Sequence, residues 1–248
     1  GTDVVAKSPA DGYTLLMVNL GHTVNPGLYK KLPYDTVRDF APVTLVGMIA
    51  NLLVVHPSLP AKSVAEFVRL AHARPGAINY ASGGHGSSAH LAVELFRKYT
   101  HTELVHVPYK SGGLVATALL SGEVDVSFNT IPALIAYVKA GRLRALGVST
   151  PQRSLSLPTV PTIAESGYAG FSASGLAGLV APAGTPPDVV DRLYGEVAAL
   201  VKQPALVERF VALGIDPIGN TPAEFDKFIR SDIEKWTQLT RELKINLQ

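Results

Sequence analysis

The stretch that decides the fold runs Ile78-Asn79-Tyr80-Ala81-Ser82-Gly83-Gly84-His85-Gly86-Ser87-Ser88-Ala89-His90. A short apolar run leads into three glycines and two consecutive serines, and an amphipathic segment follows to about Tyr99. This order predicts a buried strand, a Gly-rich turn and a helix that Ser87 or Ser88 caps. Because a strand that passes through a tight turn into a helix is half of a βαβ unit, the stretch predicts an α/β protein.

Short apolar runs and amphipathic segments alternate on both sides of this stretch. From Ala61 to Val148 the pattern predicts the order α-β-α-β-α-β-α-β. The apolar runs are often β-branched and apolar throughout, which is typical of strands covered on both faces in a mainly parallel, doubly wound sheet. We expect strands at Tyr13–Val18, Val43–Ile49, Leu52–Val55, Ile78–Ala81, Leu104–Val107, Val124–Phe128 and Arg144–Val148.

The alternation breaks after Val148. Residues 151–170 are rich in Pro, Ser, Thr and Gly and predict an irregular excursion, after which a strand at Phe171–Ala181 and three helices complete the chain. This layout suggests that the chain leaves one lobe, builds a second and returns. Lobe one then comprises residues 1–55 and 172–248, and lobe two comprises residues 56–171. One continuous domain is the alternative.

The composition limits the classes of function. Hydrophobic residues make up 47% of the 248 residues and charged residues 17%, which indicates a globular chain. The net charge is +2 and no Lys/Arg run exceeds the Lys30-Lys31 pair, so nucleic acid is not an expected partner. The chain has no cysteine, which excludes disulfides and thiolate metal sites. No apolar run approaches the roughly 20 residues of a membrane span.

The Gly-rich turn is a candidate anion site. Its glycines let backbone N–H groups approach a ligand without interference from a Cβ. The helix that follows adds unpaired N–H groups and about half a positive charge at its N-terminus. The serine hydroxyls are further donors. The predicted site comprises Ser82, Gly83, Gly84, Gly86, Ser87 and Ser88. A plain strand–helix turn is the alternative, although such a turn needs fewer glycines.

The flanking sequence narrows the type of anion. Gly84-x-Gly86-x-x-Ala89 matches the loose dinucleotide fingerprint, but the next strand ends in Val107-Pro108-Tyr109-Lys110, without the acid that would hold a ribose. No Gly-Lys-Ser/Thr follows the glycines, so the turn is not a nucleoside-triphosphate loop. A carboxylate fits better, since it needs only a few N–H and O–H donors.

Two further strand ends are expected at the same edge of the sheet, where doubly wound proteins bind ligands. Tyr109 follows one of these strands, and Asn129 and Thr130 follow the other. We therefore add these three side chains to the predicted ligand contacts. Asp125 is expected to cap or pair locally instead.

Ser, His and Asp residues leave an enzyme open as an alternative. Gly86-Ser87-Ser88-Ala89 is not the Gly-x-Ser-x-Gly elbow that exposes a nucleophile. His85 and His90 are five residues apart and do not share a helical face as a metal pair would. We therefore expect a binding protein without catalytic residues, metal or cofactor. An α/β hydrolase, a dinucleotide-dependent oxidoreductase and a sensory binding protein without transport remain the alternatives.

Motifs spread over almost the whole chain carry a resemblance to a known family. They are Ala6-Lys7-Ser8-Pro9-Ala10-Asp11-Gly12-Tyr13-Thr14-Leu15-Leu16, Asn25-Pro26-x-Leu28-Tyr29-x-x-Leu32-Pro33-Tyr34-Asp35, Tyr80-Ala81-Ser82-Gly83-Gly84-x-Gly86-Ser87, His106-Val107-Pro108-Tyr109-Lys110, Leu157-Pro158-x-Val160-Pro161-Thr162-x-x-Glu165-x-Gly167 and Ala181-Pro182-Ala183-Gly184-Thr185-Pro186. In this order they resemble the extracytoplasmic solute receptors of tripartite tricarboxylate transporters, the TctC or Bug family.

The resemblance implies a type II periplasmic-binding-protein fold, in which two doubly wound α/β lobes are joined by two crossing strands. It implies that a small carboxylate or dicarboxylate is held in the cleft between the lobes. The expected protein is a periplasmic, monomeric receptor that is not inserted into the membrane and that hands its solute to membrane transporter subunits. The family's first strand, Gly-rich ligand loop and helix are expected to precede residue 1.

Overall fold

The computed structural model describes residues 1–245, and it shows a mixed α/β protein with two sheets. The chain divides into two compact units. Unit 1 contains Gly1–Met48, Gly175–Phe210 and the chain from Asp216 onward, and unit 2 contains Ile49–Ser174 and Val211–Ile215.

The helices and strands alternate through most of the chain. In chain order they are α1 (Thr2–Ala6), β1 (Leu16–Val18), α2 (Leu20–Leu28), β2 (Phe40–Ile49), β3 (Asn51–Val55), α3 (Val64–Ala73), β4 (Ile78–Ser82), α4 (Ser88–Thr100), β5 (Leu104–Pro108), α5 (Gly112–Ser121), β6 (Val126–Thr130), α6 (Ile131–Lys139), β7 (Arg144–Val148), β8 (Gly175–Pro182), α7 (Pro187–Leu200), α8 (Pro204–Ala212), β9 (Ile215–Pro217) and α9 (Pro222–Glu242).

Unit 1 is built on a four-stranded sheet with the strand order β1-β8-β2-β9. Helix α9 begins with a complete capping box, because the Thr221 hydroxyl accepts from the Glu224 N–H and the Glu224 carboxylate accepts from the Thr221 N–H. The helix packs on the sheet through Phe225 and Ile229, which share a core with Val180 of β8. Gly178 of β8 leaves the space that the Phe225 ring occupies.

A buried carboxylate joins α2 to α9. Asp232 is 5% exposed, and its Oδ2 accepts hydrogen bonds from the Thr23 hydroxyl at 2.7 Å and from the Trp236 indole N–H at 3.0 Å. Because both donors are themselves buried, the carboxylate satisfies them where water cannot. Trp236 is therefore a packing residue, as its helical spacing with Leu239 predicts.

Unit 2 is built on a five-stranded sheet with the order β5-β4-β6-β3-β7. Strand β4 is parallel to β5 and β6, whereas β3 is antiparallel to β6 and β7. Strands β5, β4, β6 and β7 therefore run in one direction, as expected for a mainly parallel sheet, and β3 runs in the opposite direction. Residues 51–55 are expected in lobe one, but they pair with β6 and β7 in this sheet. The division into lobes 1–55 with 172–248 and 56–171 stays a prediction.

Residues 149–174 contain no helix and no regular strand, which agrees with the excursion expected over residues 151–170, whereas the strand expected from Phe171 begins only at Gly175. Within the described part of the chain, no helix combines the length and the apolar character needed to cross a membrane.

Candidate functional site

Three strands of unit 2 end at one edge of the sheet, and a helix begins after each of them. The parallel register pairs Ser82 of β4 with Pro108 of β5, and Ala81 of β4 with Ser127 of β6. Helices α4, α5 and α6 therefore all begin at this carboxyl edge. Since each helix N-terminus carries about half a positive charge, the edge favours an anion without any Lys or Arg.

The turn between β4 and α4 is shaped by two glycines with positive φ. Gly84 has a φ of +107° and Gly86 a φ of +76°, conformations that a side chain disfavours. The Ser87 N–H donates to the Gly84 carbonyl, and the Ser87 hydroxyl accepts from the His90 N–H as the cap of α4. Of the two serines considered as caps, the structure selects Ser87.

Several N–H groups of this turn are free to bind a ligand. Among residues 1–245, the backbone N–H groups of Gly83, His85, Ser88 and Ala89 have no hydrogen-bond partner. The Ser88 hydroxyl also has no partner within that range, and its side chain is exposed. A helix leaves its first N–H groups without an intrahelical partner, so these open donors at the start of α4 can bind an anion.

Ser82 lies in the turn but is already fully engaged. Its hydroxyl oxygen accepts from the Gly84 N–H at 3.1 Å, lies 3.2 Å from the Gly84 carbonyl and lies 2.6 Å from Nε2 of His106. Its exposure is 0%. A Ser–His contact of this kind is found in hydrolases, but a sealed hydroxyl cannot attack a substrate. Ser82 therefore shapes the turn, and its predicted contact with a ligand stays a prediction.

Asn129 and Thr130 lie at the end of β6, as expected. The Asn129 amide donates to the Gly112 carbonyl at 3.3 Å and its oxygen accepts from the Thr130 N–H at 2.9 Å, so this side chain ties β6 to the start of α5. Thr130 occupies the cap position of α6 without a capping bond from its side chain. Within the described residues its hydroxyl has no partner, which leaves it available to a ligand.

Tyr109 follows β5, and its hydroxyl donates to Glu123 at 2.7 Å. Desolvation, together with this bond to a carboxylate, raises the pKa of Tyr109 to about 12. Its N–H donates to the Ser82 carbonyl at 2.8 Å, so its backbone supports the turn. The Asp125 carboxylate is engaged within the protein, since its Oδ2 accepts from the N–H of Asn79 in β4, 46 residues away in the sequence.

Three histidines meet at the turn, which the sequence spacing does not reveal. The side chains of His85, His90 and His106 each offer a ligand atom, and these atoms lie within 4.8 Å of one another. His85 lies in the turn and not on α4, so it shares no helical face with His90, but the turn brings the two rings to 5.3 Å from each other. The register between β4 and β5 explains the third histidine. Tyr80 of β4 pairs with His106 of β5, which brings His106 beside α4.

The histidine rings lie beside a buried hydrogen-bond network. Tyr80 stacks on His106 at 4.7 Å and donates its hydroxyl proton to Glu94, which also binds Arg97 through both carboxylate oxygens. Burial lowers the pKa of His106 to about 4, and burial also lowers the pKa of His90. Both rings are therefore neutral near pH 7.

The family model for TctC, described as a tripartite tricarboxylate transporter family receptor, matches residues 1–245. Protein BugT of Bordetella pertussis is 36% identical over 250 residues, which covers 100% of this chain and 77% of BugT.

Two solved structures from Rhodopseudomonas palustris are similar to this chain. Rpa4515 with adipate has a TM-score of 0.79 and 33% identity, and the match covers 99% of this chain and 83% of Rpa4515. MatC with bound malate has a TM-score of 0.72 and 28% identity, and the match covers 96% of this chain and 82% of MatC. These likenesses confirm the expected periplasmic-binding-protein fold. The chain belongs to the TctC family of tripartite tricarboxylate transporter receptors, whose members are periplasmic solute-binding proteins and not enzymes.

Proposed function

We propose that this chain is a periplasmic receptor that captures a small carboxylate or dicarboxylate at the carboxyl edge of β4, β5 and β6 and delivers it to membrane subunits of a tripartite tricarboxylate-type transporter. The capture of this solute between two lobes, which the family resemblance implies, stays a prediction.

One observation carries the proposal. The turn at the start of α4 presents the open N–H groups of Gly83, His85, Ser88 and Ala89. These donors lie at the start of α4, where the helix charge favours an anion, and a carboxylate has two oxygens that accept several such bonds. The Ser87 hydroxyl uses its oxygen to cap α4, which leaves its proton for the solute.

The number of donors suffices for a useful affinity. A hydrogen bond to a charged group contributes about 1.5–3 kcal/mol net, and a micromolar dissociation constant corresponds to about 8 kcal/mol. Four or five such contacts supply about 6–15 kcal/mol, so they reach this value where the contacts are strong and the cost of association is near the lower end of its range, about 4 kcal/mol.

Relatives support the chemical class of the solute. Rpa4515 is described with adipate and MatC with malate, and both compounds are dicarboxylates. We propose the same class for this chain, since a dicarboxylate gives the turn one carboxylate and leaves the second for other contacts.

Calorimetry with adipate and malate tests the proposal, with adipamide as the uncharged analogue. The matched variants are Ser87→Ala and Ser63→Ala. Each removes the capping hydroxyl of a helix, α4 and α3 respectively. Val64, the first residue of α3, lies beside Gly147 of β7, and β7 is three strands away from β4 in the sheet.

We expect at least one dicarboxylate to bind and adipamide not to bind. Ser87→Ala should weaken binding about tenfold, the effect of one lost hydrogen bond, and Ser63→Ala should leave it unchanged. Equal affinities of the two variants would exclude the α4 turn as the carboxylate site. Uptake of the labelled solute by cells with and without the chain then separates a transport receptor from a sensory protein.

A further inference from the structure

His85, His90 and His106 form a compact cluster at the side of the turn. The ring centroids of His90 and His106 are 4.5 Å apart, and those of His85 and His106 are 4.9 Å apart. His90 is buried, His106 is half-buried and His85 is exposed. The cluster is therefore anchored on its inner side and open to solvent at His85.

Each ring keeps one nitrogen without a hydrogen bond. The Ser82 hydroxyl bonds Nε2 of His106, and Nδ1 of His90 accepts from the Gly86 N–H at 3.2 Å. Within residues 1–245, Nδ1 of His106, Nε2 of His90 and both nitrogens of His85 have no partner. Glu94 does not compete for the role of ligand, since Tyr80 and Arg97 already occupy its oxygens.

We propose that His85, His90 and His106 bind a divalent transition-metal ion that prefers imidazole ligands, such as Zn²⁺. Three imidazoles without thiolate are a suitable set for Zn²⁺, Ni²⁺ or Cu²⁺ and a poor one for Mg²⁺ or Ca²⁺. Zn–N bonds are about 2.0–2.1 Å long, so tetrahedral ligands are roughly 3.3 Å apart. The three ligand atoms lie within 4.8 Å of one another, so they need to approach only slightly to bind one ion. His85 can supply this small movement, because glycines flank it on both sides.

The hydrogen bonds around the cluster predict a structural consequence of metal binding. A neutral imidazole that binds an ion keeps its proton on the other nitrogen. His90 then cannot accept the Gly86 N–H bond while it binds the ion. Binding therefore releases the Gly86 N–H, whereas the Ser82 hydroxyl stays on His106 and holds that ring in place.

This inference goes beyond the proposed capture of a carboxylate and does not depend on it. The carboxylate is assigned to backbone N–H groups and hydroxyls, whereas the ion is assigned to ring nitrogens. Three protein ligands leave a fourth position of a tetrahedral ion for water or for an oxygen of the solute.

The test is calorimetry with ZnCl₂ on the full chain at neutral pH without solute, combined with the visible spectrum of bound Co²⁺. His85→Ala is the decisive variant, because an exposed side chain can be removed without disturbing the fold. His106→Asn is the second variant. His101→Asn is the matched control, since His101 is an exposed histidine in a left-handed conformation that asparagine tolerates.

We expect one Zn²⁺ per chain, an affinity at least tenfold weaker in His85→Ala and His106→Asn, and no change in His101→Asn. The amide resonance of Gly86 should shift when Zn²⁺ is added. The proposal is overturned if no saturable binding occurs, or if His85→Ala binds Zn²⁺ as tightly as the unaltered chain.

Discussion

The hydroxyl of Tyr80 donates a 2.6 Å hydrogen bond to Oε1 of Glu94, and this bond ties strand β4 to helix α4 beneath the Gly-rich turn. Both residues are buried, at 0% and 5% exposure. The bond to the carboxylate and the burial of the ring raise the pKa of Tyr80 far above its ordinary value. The tyrosine therefore stays protonated and remains a donor over the whole working range of pH.

Tyr80→Phe removes this donor and leaves a buried carboxylate with Arg97 as its partner. We expect a loss of about 1–3 kcal/mol in the free energy of unfolding, measured by urea denaturation. Tyr137→Phe is the control, because within the described residues the Tyr137 hydroxyl makes no hydrogen bond. Equal stabilities of the two variants would show that the Tyr80 bond contributes nothing.

Gly84→Ala should weaken carboxylate binding. A φ of +107° disfavours alanine, so the turn must shift and its open N–H groups lose their alignment. Gly76→Ala is the control, since Gly76 also has a positive φ, of +69°, with open space around it. Calorimetry should show a loss of affinity of about tenfold or more in Gly84→Ala alone, the scale of one misaligned hydrogen bond. An equal loss in both variants would contradict the assignment.

Gly178→Ala should destabilise unit 1. A Cβ at this position would overlap Cζ of the Phe225 ring, which is fully buried and cannot move aside. Overpacking of this kind costs about 1–3 kcal/mol. Gly195→Ala, in α7 with nothing near its Cβ, should instead stabilise by up to about 1 kcal/mol. Thermal unfolding of the two variants should therefore shift in opposite directions.

The burial of His22 predicts that the protein loses stability in acid. Burial lowers its pKa from 6.5 to about 4, so between these values the unfolded chain binds a proton that the folded chain does not. The stability contributed by the neutral His22 ring is fully present above pH 6.5. Below this value the free energy of unfolding falls by about 1.4 kcal/mol per pH unit, which amounts to about 2 kcal/mol between pH 7 and 5. In His22→Gln, urea denaturation at these two pH values should show a smaller difference. An unchanged difference would exclude His22 as its source.

Local sequence signals predicted the central part of the fold. The order of strand, glycines and serines gave β4, the turn and α4, because turn and cap chemistry act within a few residues. The capping box of Thr221 and Glu224 is a signal of the same short range at the start of α9. In the site, the strand-end position of Thr130 followed from the same short-range reasoning.

Features that depend on distant partners could not be predicted in this way. Helix α2 contains Pro26 and is stabilised by packing on α9, not by its own propensity. The short strand β9 is defined by its neighbours in the sheet. The histidine cluster depends on the register that places His106 beside Tyr80, and the sequence distance between His90 and His106 does not encode that register.

The most direct test of the carboxylate site is the ¹⁵N–¹H spectrum of the protein during titration with adipate or malate. We expect the largest shifts of amide resonances at Gly83, His85, Ser88 and Ala89, and we expect these shifts to saturate with the calorimetric affinity. If the shifts that saturate occur at other residues and these four amides stay unchanged, the assignment of the carboxylate to the turn at the start of α4 is contradicted.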